Sequence, residues 1–194
     1  MTAIATVTGK VIDFLNPDPE QLSLDDIARG LSRAPRYAGQ TEKPYTVIQH
    51  SLLVAHLVPS EHRLHALLHD APEAYLCDVP SPAKDAMRQL SLDGVSPYDI
   101  IEHRLWGAIT HRWDLSSVMP EAVTNADRQA MVIEAPVLQP EAWDLPVWDF
   151  AREIIYPVEW VRYLLTVLAE DQHQATGRWL EAVATELTNR RRAA

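Results

Sequence analysis

The chain has 194 residues, 47% of them hydrophobic, which is material for one compact domain with a real core. Seventeen basic residues stand against 27 acidic ones, a net charge of −10. Such a surface repels a polyphosphate backbone, which argues against a nucleic acid polymer as partner and leaves room for a small nucleotide.

Cys77 is the lone cysteine, so no intrachain disulfide can form, and a reducing, cytoplasmic setting is expected. The opening MTAIATVTGK lacks the basic-then-apolar order of a leader peptide. No uncharged apolar run approaches the ~20 residues of a membrane helix, so no membrane partner is expected.

Residues 2–14, rich in Thr, Val and Ile around Gly9, predict a short hairpin, broken by Asn16, Pro17 and Pro19. Ser23 reads as an N-cap, with Asp25 and Asp26 in the first turn of a helix through Ala28 and Leu31 that ends before Pro35. The stretch 33–44, with Pro, Gly and charges, reads as a loop. Apolar positions from Tyr45 to Val58 predict a buried helix. A second is predicted over 60–77, with Leu64, Leu67, Leu68, Ala71 and Ala74 inward, stopped by Val79-Pro80-Ser81-Pro82. A long helix over 97–112 follows, with Ile100, Ile101, Leu105 and Ile109 as its stripe, then another over 120–134. Residues 135–148, with three Pro and two Trp, predict a loop, and two last helices cover 157–168 and 172–192. The Trp143–Trp148 segment is expected to pack over the bundle or at a dimer contact, with a lid as the other reading. The sum is an all-α bundle with a β appendage.

Four side chains in these helices carry the chemistry. His69-Asp70 interrupts the apolar run ALLHDAPEAYL, His50 sits in VIQHSLLVA, and Asp127 in VTNADRQAMVIEA. An ionised Asp in such a run needs a metal, an ion pair or a wet cleft, because burying it alone is very costly. Two imidazoles and two carboxylates suit a borderline divalent cation: Mn, Fe, Co, Ni or Zn. On the residues alone, a metal site and a set of hydrogen-bonded core histidines both remain open.

The order His50, His69-Asp70, Asp127 resembles the H…HD…D signature of HD-domain phosphohydrolases. The string HDAPEAYLCDVPSPAK (69–84) resembles the matching segment of bacterial 5′-deoxynucleotidases of the YfbR type, and residues 25–55 and 126–135 resemble small HD phosphohydrolases of bacteria and phages. The likeness is good over about 10–135 and loose beyond.

It implies one HD domain over 1–194: a β appendage at 1–20, a metal-binding core at 21–135 and C-terminal helices at 136–194. It also implies that His50, His69, Asp70 and Asp127 hold one divalent transition-metal cation. Asp70 and Glu73 would assist proton transfer, Asp78 would serve the sugar and catalysis, and Arg36, with Arg33 and Lys84 as further candidates, would contact phosphate. Tyr37 and Tyr45 are read either as base-stacking rings or as core. His56, His62, His65, His103, His111 and His173 are set aside as ligands. So is Gln40, where such relatives often carry His.

The function so implied is hydrolysis of a deoxynucleoside 5′-monophosphate by a homodimer. A deoxynucleoside triphosphate triphosphohydrolase and a non-catalytic nucleotide-binding or dimerising module with a structural metal are the alternatives.

Overall fold

In a computed structural model, which describes residues 1–193, the chain is mostly helical with one small sheet. Strands β1 (Ala3–Ala5) and β2 (Val11–Asp13) pair antiparallel, Ala3 against Asp13, Ile4 against Ile12 and Ala5 against Val11. Ile12 is the hairpin's buried anchor. The hairpin is moored to helix α1 (Leu24–Leu31) through the buried Asp26, which accepts from Thr6 Oγ1 at 2.8 Å and Thr8 N–H at 3.2 Å. Ser23 caps α1 as expected, its hydroxyl accepting from Asp26 N–H.

Helix α2 (Val47–Leu57) is the central rod. Every residue from Val47 to Ala55 is buried, the mark of a helix enclosed on all sides. A reciprocal Thr46–Gln49 capping box starts it. Helices α3 (Arg63–Leu68), α7 (Glu121–Leu138), α8 (Val158–Leu168) and α9 (Gln172–Ala193) pack around it. One hydrophobic core runs from Ile12 to Val183. The C-terminal helices are built into it: Trp179 of α9 is fully buried and its indole N–H donates to the Leu67 carbonyl at 2.9 Å.

Four expectations are corrected. The single helix over 60–77 is broken: α3 stops at Leu68, residues 69–72 form a turn, and a four-residue helix α4 (Glu73–Leu76) follows. Pro72 is the reason, since it has no N–H for the Leu68 carbonyl and its ring would strike that carbonyl. The turn closes instead through tighter bonds, Ala71 N–H to Leu68 O and Glu73 N–H to Asp70 O, each 2.9 Å.

The prolines at 80 and 82 end one helix and open another, α5 (Ser81–Leu90), because proline fits a helix's first turn. Helix α6 (Pro97–Arg112) buries Leu105, Trp106, Ala108 and Ile109, whereas Ile101 is only half-buried against the core and Ile100 is exposed. Helix α7 continues through Pro136 to Leu138, held by the buried Ala135 and Leu138, so the expected loop begins later and contains two short 3-10 turns, 140–142 and 146–148. In that segment Trp148 packs on Val132 and Ala135 of α7, as the packing reading expects. Among the described residues no helix is long and apolar enough to cross a membrane.

Candidate metal centre

The four expected ligands converge from three places in the fold: His50 from the middle of α2, His69 and Asp70 from the proline-enforced turn, and Asp127 from the second turn of α7. One ligand atom each from His50, His69 and Asp127 lie within 4.8 Å of one another, a group able to hold a metal ion. His50 Nε2 is 3.0 Å from Asp127 Oδ1, and His69 Nε2 is 4.0 Å from it. Asp70 joins them, its Oδ2 3.1 Å from His69 Nε2 and 3.6 Å from His50 Nε2.

The imidazoles are oriented by their other nitrogens. His69 Nδ1–H donates to the Ala66 carbonyl at 2.7 Å, and His50 Nδ1–H donates to Glu134 Oε1 at 2.6 Å. A carbonyl or carboxylate can only accept, so both rings turn Nε2 toward the acidic centre, the usual arrangement of metal-binding histidines. His69 Nε2 and Asp70 Oδ2 are buried with no hydrogen-bond partner among the described residues. Two such atoms facing each other are costly unless a cation lies between them. The donor set of two imidazole nitrogens and two carboxylates therefore fits a borderline divalent ion.

The charges say the same. Burial and the Arg36 guanidinium oppose a proton on His50, but Glu134 and Asp127 outweigh them and lift its pKa to about 10. Burial likewise disfavours charge on His69, and Asp70 overcomes it. Burial pushes the Asp70 carboxyl up, while His69, His50 and Arg36 together hold it far below the usual range. The acidic groups of the centre thus favour positive charge on both rings.

Around this centre the expected substrate groups divide. Glu73, 4% exposed, has one carboxyl oxygen with no hydrogen-bond partner among the described residues. Burial, Asp70 and Asp78 raise its pKa to about 10, so it keeps its proton at neutral pH. Burial raises Asp78 as well, against the pull of Arg36. Cys77, just before Asp78, adopts φ 64° and ψ 160°, a strained backbone for a non-glycine residue.

Arg36 lies 3.8 Å from Asp70 Oδ2 and 3.7 Å from Glu134 Oε2, with its Nε unpartnered among the described residues. Lys84 Nζ is 2.8 Å from Glu102 Oε1 and 3.7 Å from Glu73 Oε1. Arg33 is exposed, and among the described residues no ion pair joins it to these groups. A cavity of about 600 Å³ opens beside His69, lined by Pro72, Val95, Ile100, Trp106 and Met119 with Arg88, Asp99, Glu102, His103 and Arg104 as its polar groups. Of the expected ligands only His69 lines it.

Sequence reasoning missed Glu134. It is fully buried, and besides His50 it accepts from the hydroxyls of Tyr45 and Tyr37, each at 2.9 Å. Both tyrosine hydroxyls are thus bound to this carboxylate; Tyr45 is buried in the core, whereas Tyr37 is only half-buried. A signal was available: Glu134 interrupts the apolar run MVIEAPVL seven residues after Asp127, two turns along the same helix face. The histidines set aside lie elsewhere in two clear cases, His56 stacked on Tyr163 and His65 facing the Ser116 carbonyl.

Fold and site together define a mostly helical protein with a buried histidine–aspartate cluster able to hold a metal ion. No family model matches the chain. An uncharacterized protein of Rhodobacter capsulatus is 35% identical over 138 residues, covering 66% of this chain and 67% of the relative. The uncharacterized protein YfdR of Escherichia coli K12 is 34% identical over 127 residues, with the same coverage of 66% and 67%. The chain belongs to the family of these two bacterial proteins.

Proposed function

We propose that this chain is a metal-dependent phosphohydrolase of the HD superfamily acting on small nucleotides, with deoxynucleoside 5′-monophosphates as its substrates. The observation that carries the reading is the meeting of His50, His69 and Asp127 within 4.8 Å, with the unpartnered Asp70 Oδ2 beside them. One divalent cation, Mn, Co, Fe, Ni or Zn, would be held by these four residues and would supply Lewis acidity toward a phosphoryl oxygen and a water.

The chain's own groups provide the rest. Arg36 offers an unspent Nε–H and a planar fork suited to phosphate. Lys84 offsets charge next to Glu73. Glu73, protonated at neutral pH, gives its proton to the departing nucleoside oxygen as the ester P–O bond breaks and recovers one from the water that adds to phosphorus. Asp78 serves the sugar. The cavity beside His69 is of a size that takes a nucleoside. Among the described residues Arg36 and Lys84 are the cationic side chains that pair with the acidic groups of the centre, and Arg88 and Arg104 line the neighbouring cavity. An unpartnered, protonated Glu73 is of no use to a structural metal, which weighs against a non-catalytic module. A homodimer accompanies this reading, with the exposed apolar residues Phe150, Ile154 and Ile155 as a surface for it.

The test is a phosphate-release assay with Mn or Co over a panel of nucleoside mono- and triphosphates. Orthophosphate from deoxynucleoside monophosphates is expected. Tripolyphosphate from a deoxynucleoside triphosphate would replace this reading with a triphosphohydrolase, and no release with any metal would leave only a binding module.

A further inference from the structure

We propose that Glu134 is the positioning residue of the metal centre: its carboxylate fixes His50 as the Nδ1–H tautomer, so that Nε2 is the atom presented to the cation. The inference rests on the metal-site reading above and concerns how that site is kept in shape.

Glu134 is 0% exposed, and a buried carboxylate is tolerable only when its lone pairs are occupied. Its Oε1 takes the His50 Nδ1–H at 2.6 Å and the Tyr45 hydroxyl at 2.9 Å, and its Oε2 takes the Tyr37 hydroxyl at 2.9 Å. The nearest guanidinium nitrogen, on Arg36, is 3.7 Å away. Its shortest contact is with the back of a ligand imidazole.

The two tyrosines bring donors from outside α7: Tyr37 from a left-handed turn (φ 56°) and Tyr45 from just before α2. They hold the carboxylate in place, and it holds the ring. Because Asp127 and Glu134 share one face of α7, a single helix supplies a direct oxygen ligand and the support of the ligand opposite. Carboxylate–histidine–metal chains of this kind set ring orientation and raise ligand basicity.

The experiment uses the full chain, stripped with chelator and titrated with zinc against a competing chromophoric chelator, alongside Glu134→Gln. The long-range nitrogen-15 spectrum of His50 is recorded in the zinc-loaded wild type. Wild type is expected to bind zinc through His50 Nε2 with Nδ1 protonated, and folded Glu134→Gln to bind roughly 10- to 100-fold more weakly, because the amide supplies neither the charge nor the second acceptor.

Unchanged zinc affinity in folded Glu134→Gln overturns the proposal while leaving the metal site standing, and so does a His50 ligated through Nδ1. A wild type that takes up no zinc, manganese or cobalt removes the metal reading and this inference with it. Should Glu134→Gln not fold, the wild-type spectrum decides alone, since a purely structural carboxylate has no hold over which nitrogen faces the metal.

Discussion

Tyr37 ends in a hydroxyl that serves a buried carboxylate, and the value of that contact can be measured. Among the described residues Tyr37 is the only hydrogen-bond donor to Glu134 Oε2, with Arg36 at 3.7 Å. Tyr37→Phe keeps the ring and removes the donor, so it should cost roughly 1.5–3 kcal/mol, the range for a hydrogen bond to a charged group. The check is a shifted urea midpoint with an unchanged slope. Asp127→Ala is the sharper test of the centre: it deletes the carboxylate 3.0 Å from His50 Nε2, and bound metal and phosphohydrolase activity should both vanish. Stoichiometric metal in that variant, found by elemental analysis, would remove Asp127 from the ligand set. Residues of this kind were legible because an imidazole or carboxylate inside an apolar run needs an explanation. Glu134 bore the same mark in MVIEAPVL, but a buried acid with no partner nearby in sequence points to nothing until the fold brings His50, Tyr37 and Tyr45 to it. The resemblance favours Arg36 over Arg33, and the path of the chain turns the first inward and leaves the second exposed.

At the scale of elements, the site depends on how closely α1 approaches α4, the short helix that follows the turn carrying His69 and Asp70. Gly30 of α1 makes that approach possible: a Cβ there would sit 2.3 Å from the Ala74 carbonyl oxygen, which is backbone and cannot swing away. Gly30→Ala should therefore act as an overpacking change, with about 1–3 kcal/mol lost from the unfolding free energy despite alanine's better helix propensity. Because Ala74 follows Glu73 directly, the same change should lower activity by more than the folded fraction explains, which thermal unfolding and kinetics on one sample would separate. Equal stability would mean that the two helices are free to part. The elements with a clear hydrophobic period, α2, α7, α8 and α9, were legible from the sequence to within a few residues. Those governed by proline were not. Pro72 breaks an otherwise continuous helical pattern, Pro82 starts a helix and Pro136 is carried inside one; the same ring does each depending on which carbonyl would have met its missing N–H. The ligand-bearing turn exists only because of the first of these.

For the whole molecule, the groups that make the centre chemically useful are also the ones that pull its stability in opposite directions as pH changes. Glu73 has an ordinary value of 4.5 when unfolded and about 10 in the fold, raised by burial, Asp70 and Asp78. Its folded value is the higher one, so its contribution is most favourable below pH 4.5 and is lost steadily as pH rises toward 10. Asp70, Asp127 and Glu134 run the other way. Their folded values are depressed, so what they contribute is present above the ordinary carboxylate range and is lost in acid. In chelator-stripped protein at pH 8, Glu73 thus opposes folding, and Glu73→Gln, which cannot ionise, should melt higher than wild type. The gap should shrink as the pH is brought down to 5, at roughly 2–4 °C per kcal/mol for a chain of this size. Turnover should fall by about 10²–10⁴ in the same variant with metal uptake retained, because the proton donor is gone while the four ligands remain. A melting difference that is flat or negative across this range would mean that Glu73 is ionised in the folded chain, and the proton-donor role would fall with it. A positive difference at pH 8 joined to lost turnover would identify Glu73 as a residue kept at a cost to the fold for the sake of the reaction.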